Sequence, residues 1–223
     1  MAMREAYHVE LEDLAANLAD MSLQAAAAMK KATQALLEAD LSLAEQVIGD
    51  DQKIDDARAE NEEKAYALLA LQAPVATDLR TVLAVIHAAE SLERMGDLAL
   101  HVAKAARRRH PQATLPEPVR NYFAEMGELD VRLAEKVADV IKSRDVEAAR
   151  ALEEEDDRVD EIHRHLFTVI MDKDWEHGVA AAVDITLLGR FYERFADHAV
   201  SVGKRMVFVA TGKMPGYAHD EDL

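Results

Sequence analysis

Two short acidic motifs occur twice in this chain, in the same order and at nearly the same spacing, and that duplication limits the fold more than any single segment does. Asp51-Gln-Lys-Ile-Asp55 returns as Asp156-Asp-Arg-Val-Asp160 at an offset of 105 residues, and Asp40, placed like a helix N-cap, returns as Asp145 at the same offset. Glu93-Arg-Met-Gly-Asp97 returns as Glu193-Arg-Phe-Ala-Asp197 at an offset of 100, with Lys104 matched by Lys204. Chance similarity between helices of biased composition can produce one such match, but not readily two in the same order. The chain is one unit built twice.

Each unit reads as three helices. Leu11, Leu14, Leu18, Met21, Ala25 and Met29 recur at spacings of three and four, which predicts a helix over residues 7–38. Asp40 then caps a second helix, expected to end near Gln72. Pro74 suits the first turn of a third, which runs to Arg107, Arg108 and Arg109, cations set against the negative end of the helix dipole. Residues 110–118 hold three of the five prolines and form the one convincing linker. Beyond it, helices are expected over residues 118–143, 145–172 and 177–209. With only 8 glycines and half of its residues apolar, the chain has the composition of long helices with a continuous core. The expected fold is all-α: two tandem antiparallel three-helix bundles related by duplication, the first over residues 1–112 and the second over 113–223.

Each unit carries two [Asp/Glu]-x-x-x-Asp motifs, and residues four apart share one helix face. A single pair of this kind is ordinarily solvated surface. The register gives the set more weight. If the second and third helices are antiparallel about residues 73–74, Asp55 lies about 18 residues before the turn and Glu93 about 20 after it, and Asp51 and Asp97 lie about 22 and 24 away, a height difference of only about 3 Å within each pair. Asp51, Asp55, Glu93 and Asp97 then face one another across one groove. The same alignment of Asp156, Asp160, Glu193 and Asp197 requires a turn near residues 176–177, where Asp-Trp-Glu-His-Gly reads as one. Four oxygen ligands without thiolate suit hard or borderline cations such as magnesium, manganese, calcium, iron or zinc, singly or in clusters. Glu62, Glu90, His101 and His163 fall near these stripes and are read first as supporting or solvated groups. Arg94 and Arg194 either pair with the neighbouring acids or lie on a solvated face.

At these residues the chain resembles the PhoU family. The resemblance rests on Leu71-Gln-Ala-Pro-Val-Ala-Thr-Asp-Leu-Arg80, on Leu92-Glu-Arg-Met-Gly-Asp-Leu-Ala99, and on the weaker second copy Phe191-Tyr-Glu-Arg-Phe-Ala-Asp-His-Ala199. Tyr7-His-Val-Glu-Leu-Glu12 and Ala35-Leu-Leu-Glu-Ala-Asp40 extend it over nearly the whole chain. It implies paired three-helix bundles with multinuclear metal clusters on the acidic motifs, in a cytoplasmic adaptor that restrains phosphate import and phosphate-starvation signalling. The partners it implies are the transporter's ATPase subunit and a membrane sensor histidine kinase. The second copy departs from the family pattern at Phe195-Ala196, and Arg190 stands where the first has Glu90. A second cluster bound differently or more weakly is the consequence.

Composition narrows the remaining classes. There is no cysteine, so disulfides, thiolate metal sites and cysteine nucleophiles are excluded. No apolar run approaches the roughly 18 residues that span a bilayer, and residues 1–12 are polar and acidic, unlike a signal peptide. A soluble cytoplasmic protein without membrane insertion is expected, and apolar residues on the first and fourth helices suit either bundle core or a homodimer. The net charge of −17 opposes nucleic-acid binding and favours cations or basic protein surfaces. No phosphate loop, nucleophile elbow or redox cysteine is present, so neither catalytic residues nor an enzyme are expected. The rival enzyme is a carboxylate-bridged di-metal oxidase, which needs Glu-x-x-His on two helices. The only literal case here is Glu5-x-x-His8. A helical scaffold that binds no metal is the other rival.

Overall fold

The computed structural model describes residues 2–213, with side chains for Tyr7 and for residues 9–213. They form eight helices and, among the described residues, no strand: α1 (Ala2–Glu38), α2 (Leu41–Asp50), α3 (Gln52–Gln72), α4 (Ala76–Arg109), α5 (Glu117–Ser143), α6 (Val146–Arg150), α7 (Leu152–Ile170) and α8 (Gly178–Thr211). The three expected helices of each unit are present, but the middle one is broken. Asp40 caps α2 by accepting from the Leu43 amide at 3.0 Å, and Asp145 caps α6 by accepting from the Glu147 and Ala148 amides. Asp51 then interrupts the expected continuous helix while keeping helical backbone angles, φ −53° and ψ −43°. The Ile54 amide bonds back to the Asp51 carbonyl, tightening the turn into a bend. The second unit breaks instead at Ala151, ahead of Asp156, the counterpart of Asp51. Pro74 lies outside α4 rather than in its first turn, because the preceding Ala73 is left-handed (φ 42°) and Val75 is extended.

Leu11, Leu14, Leu18, Met21, Ala25, Met29, Ala32 and Leu36 of α1 are all buried, as their spacing requires. Small residues on this stripe let long helices approach closely. α1 packs on both α4 and α5, and α4 packs on α8, so one continuous apolar core runs through both units. Polar contacts pin the junction. Ser22 donates to the Ala134 carbonyl at 2.7 Å, and the Thr33 and Tyr192 hydroxyls share a hydrogen bond of 2.9 Å. Arg108 and Arg109, at the end of α4, both bond Asp184 near the start of α8. Their role is a clasp between units as much as a response to the helix dipole. Among the described residues, no helix is long and apolar enough to cross a membrane.

Candidate metal centre

The loops 73–75 and 171–177 turn the chain back so that α3 runs against α4 and α7 against α8. One apolar contact sets the first pairing. Ile54 lies between Asp51 and Asp55, Gly96 lies between Glu93 and Asp97, and a Cβ placed on Gly96 would come within 2.9 Å of Ile54 Cδ1. With glycine at this place the tip of the Ile54 side chain keeps its position as the two helices meet. The second unit shifts a methylene across the same place: Val159 stands where Ile54 does, and Ala196 where Gly96 does, both buried. The departure at Ala196 therefore has a steric counterpart on the facing helix.

This contact brings the expected carboxylates together. Burial raises Asp51 above the usual carboxylate range, and the charges of Asp55 and Asp97 raise it further. Glu93 is raised by burial and by Asp97 and Asp55, with Arg94 opposing. The second unit is under greater stress. Asp156 is pushed up to about 7 by burial, then by Asp197, Asp160, Asp157 and Glu193. Glu193 is raised by burial and by Asp197 and Asp160, against Arg190. Each unit thus gathers its four motif carboxylates into one mutually repelling group.

Arginines along the same helices pair with these carboxylates. Arg94 bonds Asp97 at 2.6 Å and approaches Glu93 at 3.6 Å, Arg190 pairs with Glu193, and Arg194 stands 4.0 Å from Asp197. Among the described residues, no three acidic or histidine side chains are drawn close enough to hold an ion as they stand. The chemistry of the donors nevertheless fits a cation. Asp156 Oδ1 and Glu193 Oε2 are buried with no hydrogen-bond partner, an arrangement costly without a positive charge.

The supporting residues divide. Glu62 is taken up by Arg58 at 2.6 Å, and Glu90 lies 3.5 Å from His87. His101 contacts the Asp97 carbonyl at 2.6 Å and packs its ring on Phe191. Burial lowers His163, whose Nε2 has no partner. Arg58, Glu90, Ser91, Glu93, Arg94 and His198 line a cleft of ≈ 430 Å³ beside the first group. Sequence reasoning passed over Asp130 of α5, which is 0 % exposed with both carboxyl oxygens unpartnered. Its signal was available, since a carboxylate four residues after Met126 and three before Leu133 interrupts an apolar stripe.

A sequence model of the PhoU domain matches residues 18–106 and 123–206. The chain is 59% identical over 213 residues to the phosphate-specific transport system accessory protein PhoU homolog 1 of Mycobacterium leprae, covering 96% of each. It is equally identical to PhoU homolog 2 of Mycobacterium tuberculosis, covering 96% of this chain and all of that one. The crystal structure of PhoU from Pseudomonas aeruginosa superposes with a TM-score of 0.81 at 25% identity, covering 93% of this chain and 100% of that one. PhoU from Streptococcus pneumoniae gives 0.84 at 24% identity, over 93% of this chain and 98% of that one, a likeness of fold. Both units match the family, and the chain belongs to the PhoU family.

Proposed function

We propose that the protein is a non-enzymatic accessory regulator of a phosphate-specific transport system, restraining phosphate uptake and phosphate-starvation signalling by docking rather than by chemistry. One observation carries the reading: 59% identity, over 96% of this chain, to an accessory protein of such a system. The oxidase reading draws no support from these relatives, and the side chains of Glu5 and His8 lie outside the described residues. The partners are the transporter's ATPase subunit and a membrane sensor histidine kinase, met in the cytoplasm by a homodimer whose subunits each contain repeats 1–112 and 113–223. The charge of −17 suits basic docking surfaces.

Metal ions complete the proposal. Asp51, Asp55, Glu93 and Asp97 would hold one group and Asp156, Asp160, Glu193 and Asp197 the other, with iron, manganese, magnesium, zinc or calcium as the chemical class. A bound cation would neutralise the carboxylates and cross-link the facing helices. The regulatory role is tested by a clean deletion, complemented and uncomplemented, in a strain without a second family member. Phosphate-starvation genes should stay expressed in phosphate-rich medium when the chain is absent. Normal repression in the deletion would refute the role.

A further inference from the structure

We propose that Asp130 of α5 is a fifth, inner carboxylate of the second metal site, so that the two sites of the chain differ in kind. The inference rests on the metal reading of the motif carboxylates and adds a ligand from a third helix.

The register of α5 against α7 puts Asp130 at the site. Tyr122 meets His165 at 3.0 Å, Arg158 reaches across to Glu125 at 2.8 Å, and Lys136 pairs with Glu155. These contacts bracket Asp130 on both sides and bring it level with Asp156 on the antiparallel helix. The Asp156 charge is felt there, adding to the effect of burial in raising Asp130 well above the usual carboxylate range. Unpartnered oxygens accumulate around this level. Both oxygens of Asp130, Asp156 Oδ1, Glu155 Oε2 and Glu193 Oε2 are all buried without a hydrogen bond.

A structural role does not account for the residue. At the offset of 105, the apolar positions Leu18, Met21, Ala32 and Leu36 of α1 return as Phe123, Met126, Val137 and Ile141 of α5. Asp130 falls where the first unit has Ala25, which is 0 % exposed. The bundle core thus needs no polar group at this place. A carboxyl with neither oxygen bonded costs folding energy even when neutral. A ligand role would offset that cost only when the site is filled. Asp130 would then close the site from the core side, while Asp156, Asp160, Glu193 and Asp197 hold it from the groove. The first unit, with Ala25, stays a four-carboxylate site.

The test uses the full chain with E93Q and D97N, which leaves the second site alone. Mn²⁺ and, under anaerobic conditions, Fe²⁺ are the probes, read by elemental analysis and by competition with a chelator. D130N should keep the helix content and weaken binding at the second site by about 10-fold or more, the scale on which losing even an indirect metal partner is felt. In the chain with native Glu93 and Asp97, D130N should leave the first site unchanged. D130L in the metal-free protein should raise the melting temperature, which shows that the carboxyl is retained against stability. Unchanged binding in D130N overturns the assignment of Asp130 and leaves the motif carboxylates standing. A wild-type chain that takes up neither metal overturns the metal reading, and this assignment with it.

Discussion

The contact between Ile54 and Gly96 fixes how closely the two acidic motifs of the first unit face each other, so it can be tested as a steric device. In Gly96→Ala the new Cβ would lie 2.9 Å from Ile54 Cδ1, 3.4 Å from Cγ2 and 3.6 Å from Cβ. Carbon atoms in comfortable contact stand about 3.5–4.0 Å apart, so the nearest approach is short by over half an ångström. Ile54 is 3% exposed, and turning its Cδ1 toward the cavity of ≈ 270 Å³ that it lines with Gly96 would cost it its present packing. Overpacking of this kind costs about 1–3 kcal/mol, and replacing a mid-helix glycine by alanine returns about 0.8–1.0 kcal/mol. The variant should be less stable by about 1 kcal/mol. Ile54→Val alone removes the offending methyl group and costs about 0.5–1.5 kcal/mol. Together the two changes recreate the Val159 and Ala196 pairing of the second unit, so the double variant should return to within about 0.5 kcal/mol of wild type, where additivity would predict about 2 kcal/mol lost. Urea denaturation of the four metal-free proteins, followed by circular dichroism, measures the cycle. Additive losses, or a Gly96→Ala variant stabilised by the full helix-propensity gain, would show that this contact does not set the groove.

Other expectations follow from the charges. In metal-free protein, Asp156 has a folded pKa of about 7 against an ordinary 3.8, so folding favours its protonated form. Stability should be greatest at low pH as far as this group is concerned, fall as pH rises from about 4 to about 7, and level off above. After allowance for solvent screening of this half-buried carboxyl the loss is about 2 kcal/mol, and Asp156→Asn should flatten the curve measured by thermal melts. Glu93→Gln with Asp97→Asn should abolish metal at the first site while leaving helix content intact, and unchanged stoichiometry would sink that ligand set. Chelation should lower the melting temperature and added Mn²⁺ restore it, each filled site stabilising the fold by about 2.7 kcal/mol at a hundredfold excess over its dissociation constant. Asp184→Asn should cost about 1 kcal/mol or less, because Arg108 and Arg109 are exposed enough to regain water when they lose their shared carboxylate.

Local rules made much of this molecule legible. The caps at Asp40 and Asp145 are chemical signatures that need no tertiary context, and both hold. The turn beside Gly178 follows from the carboxylate register, because antiparallel helices of known rise leave little choice of where to reverse. What the sequence did not disclose depends on hydrogen-bond geometry and on contacts between segments far apart in the chain. Nothing local marks Asp51 as a joint, since its backbone stays helical and only the hydrogen-bond pattern changes. Arg108 and Arg109 read as a helix end because their partner Asp184 lies about 75 residues away. Asp130 was visible as an anomaly in an apolar stripe, but its level with Asp156 emerges only once α5 is laid against α7.

The arginines beside the carboxylates decide whether such groups can act as sites. Arg94, Arg190 and Arg194 are all about half exposed or more, and each reaches a carboxylate three residues away along its own helix. Pairs of this kind contribute about 1 kcal/mol or less. They neutralise enough charge for the helices to pack, yet hold too weakly to compete with a cation facing several oxygens at once. Binding would therefore release guanidinium groups instead of dismantling a core. Arg94 borders the cleft that also holds Arg58 and His198, so filling the first site would turn a carboxylate-bound arginine toward that opening. The local surface would become more positive just where α4 meets α8. A partner that reads the charge of this cleft would then distinguish the loaded chain from the empty one without any change in the fold.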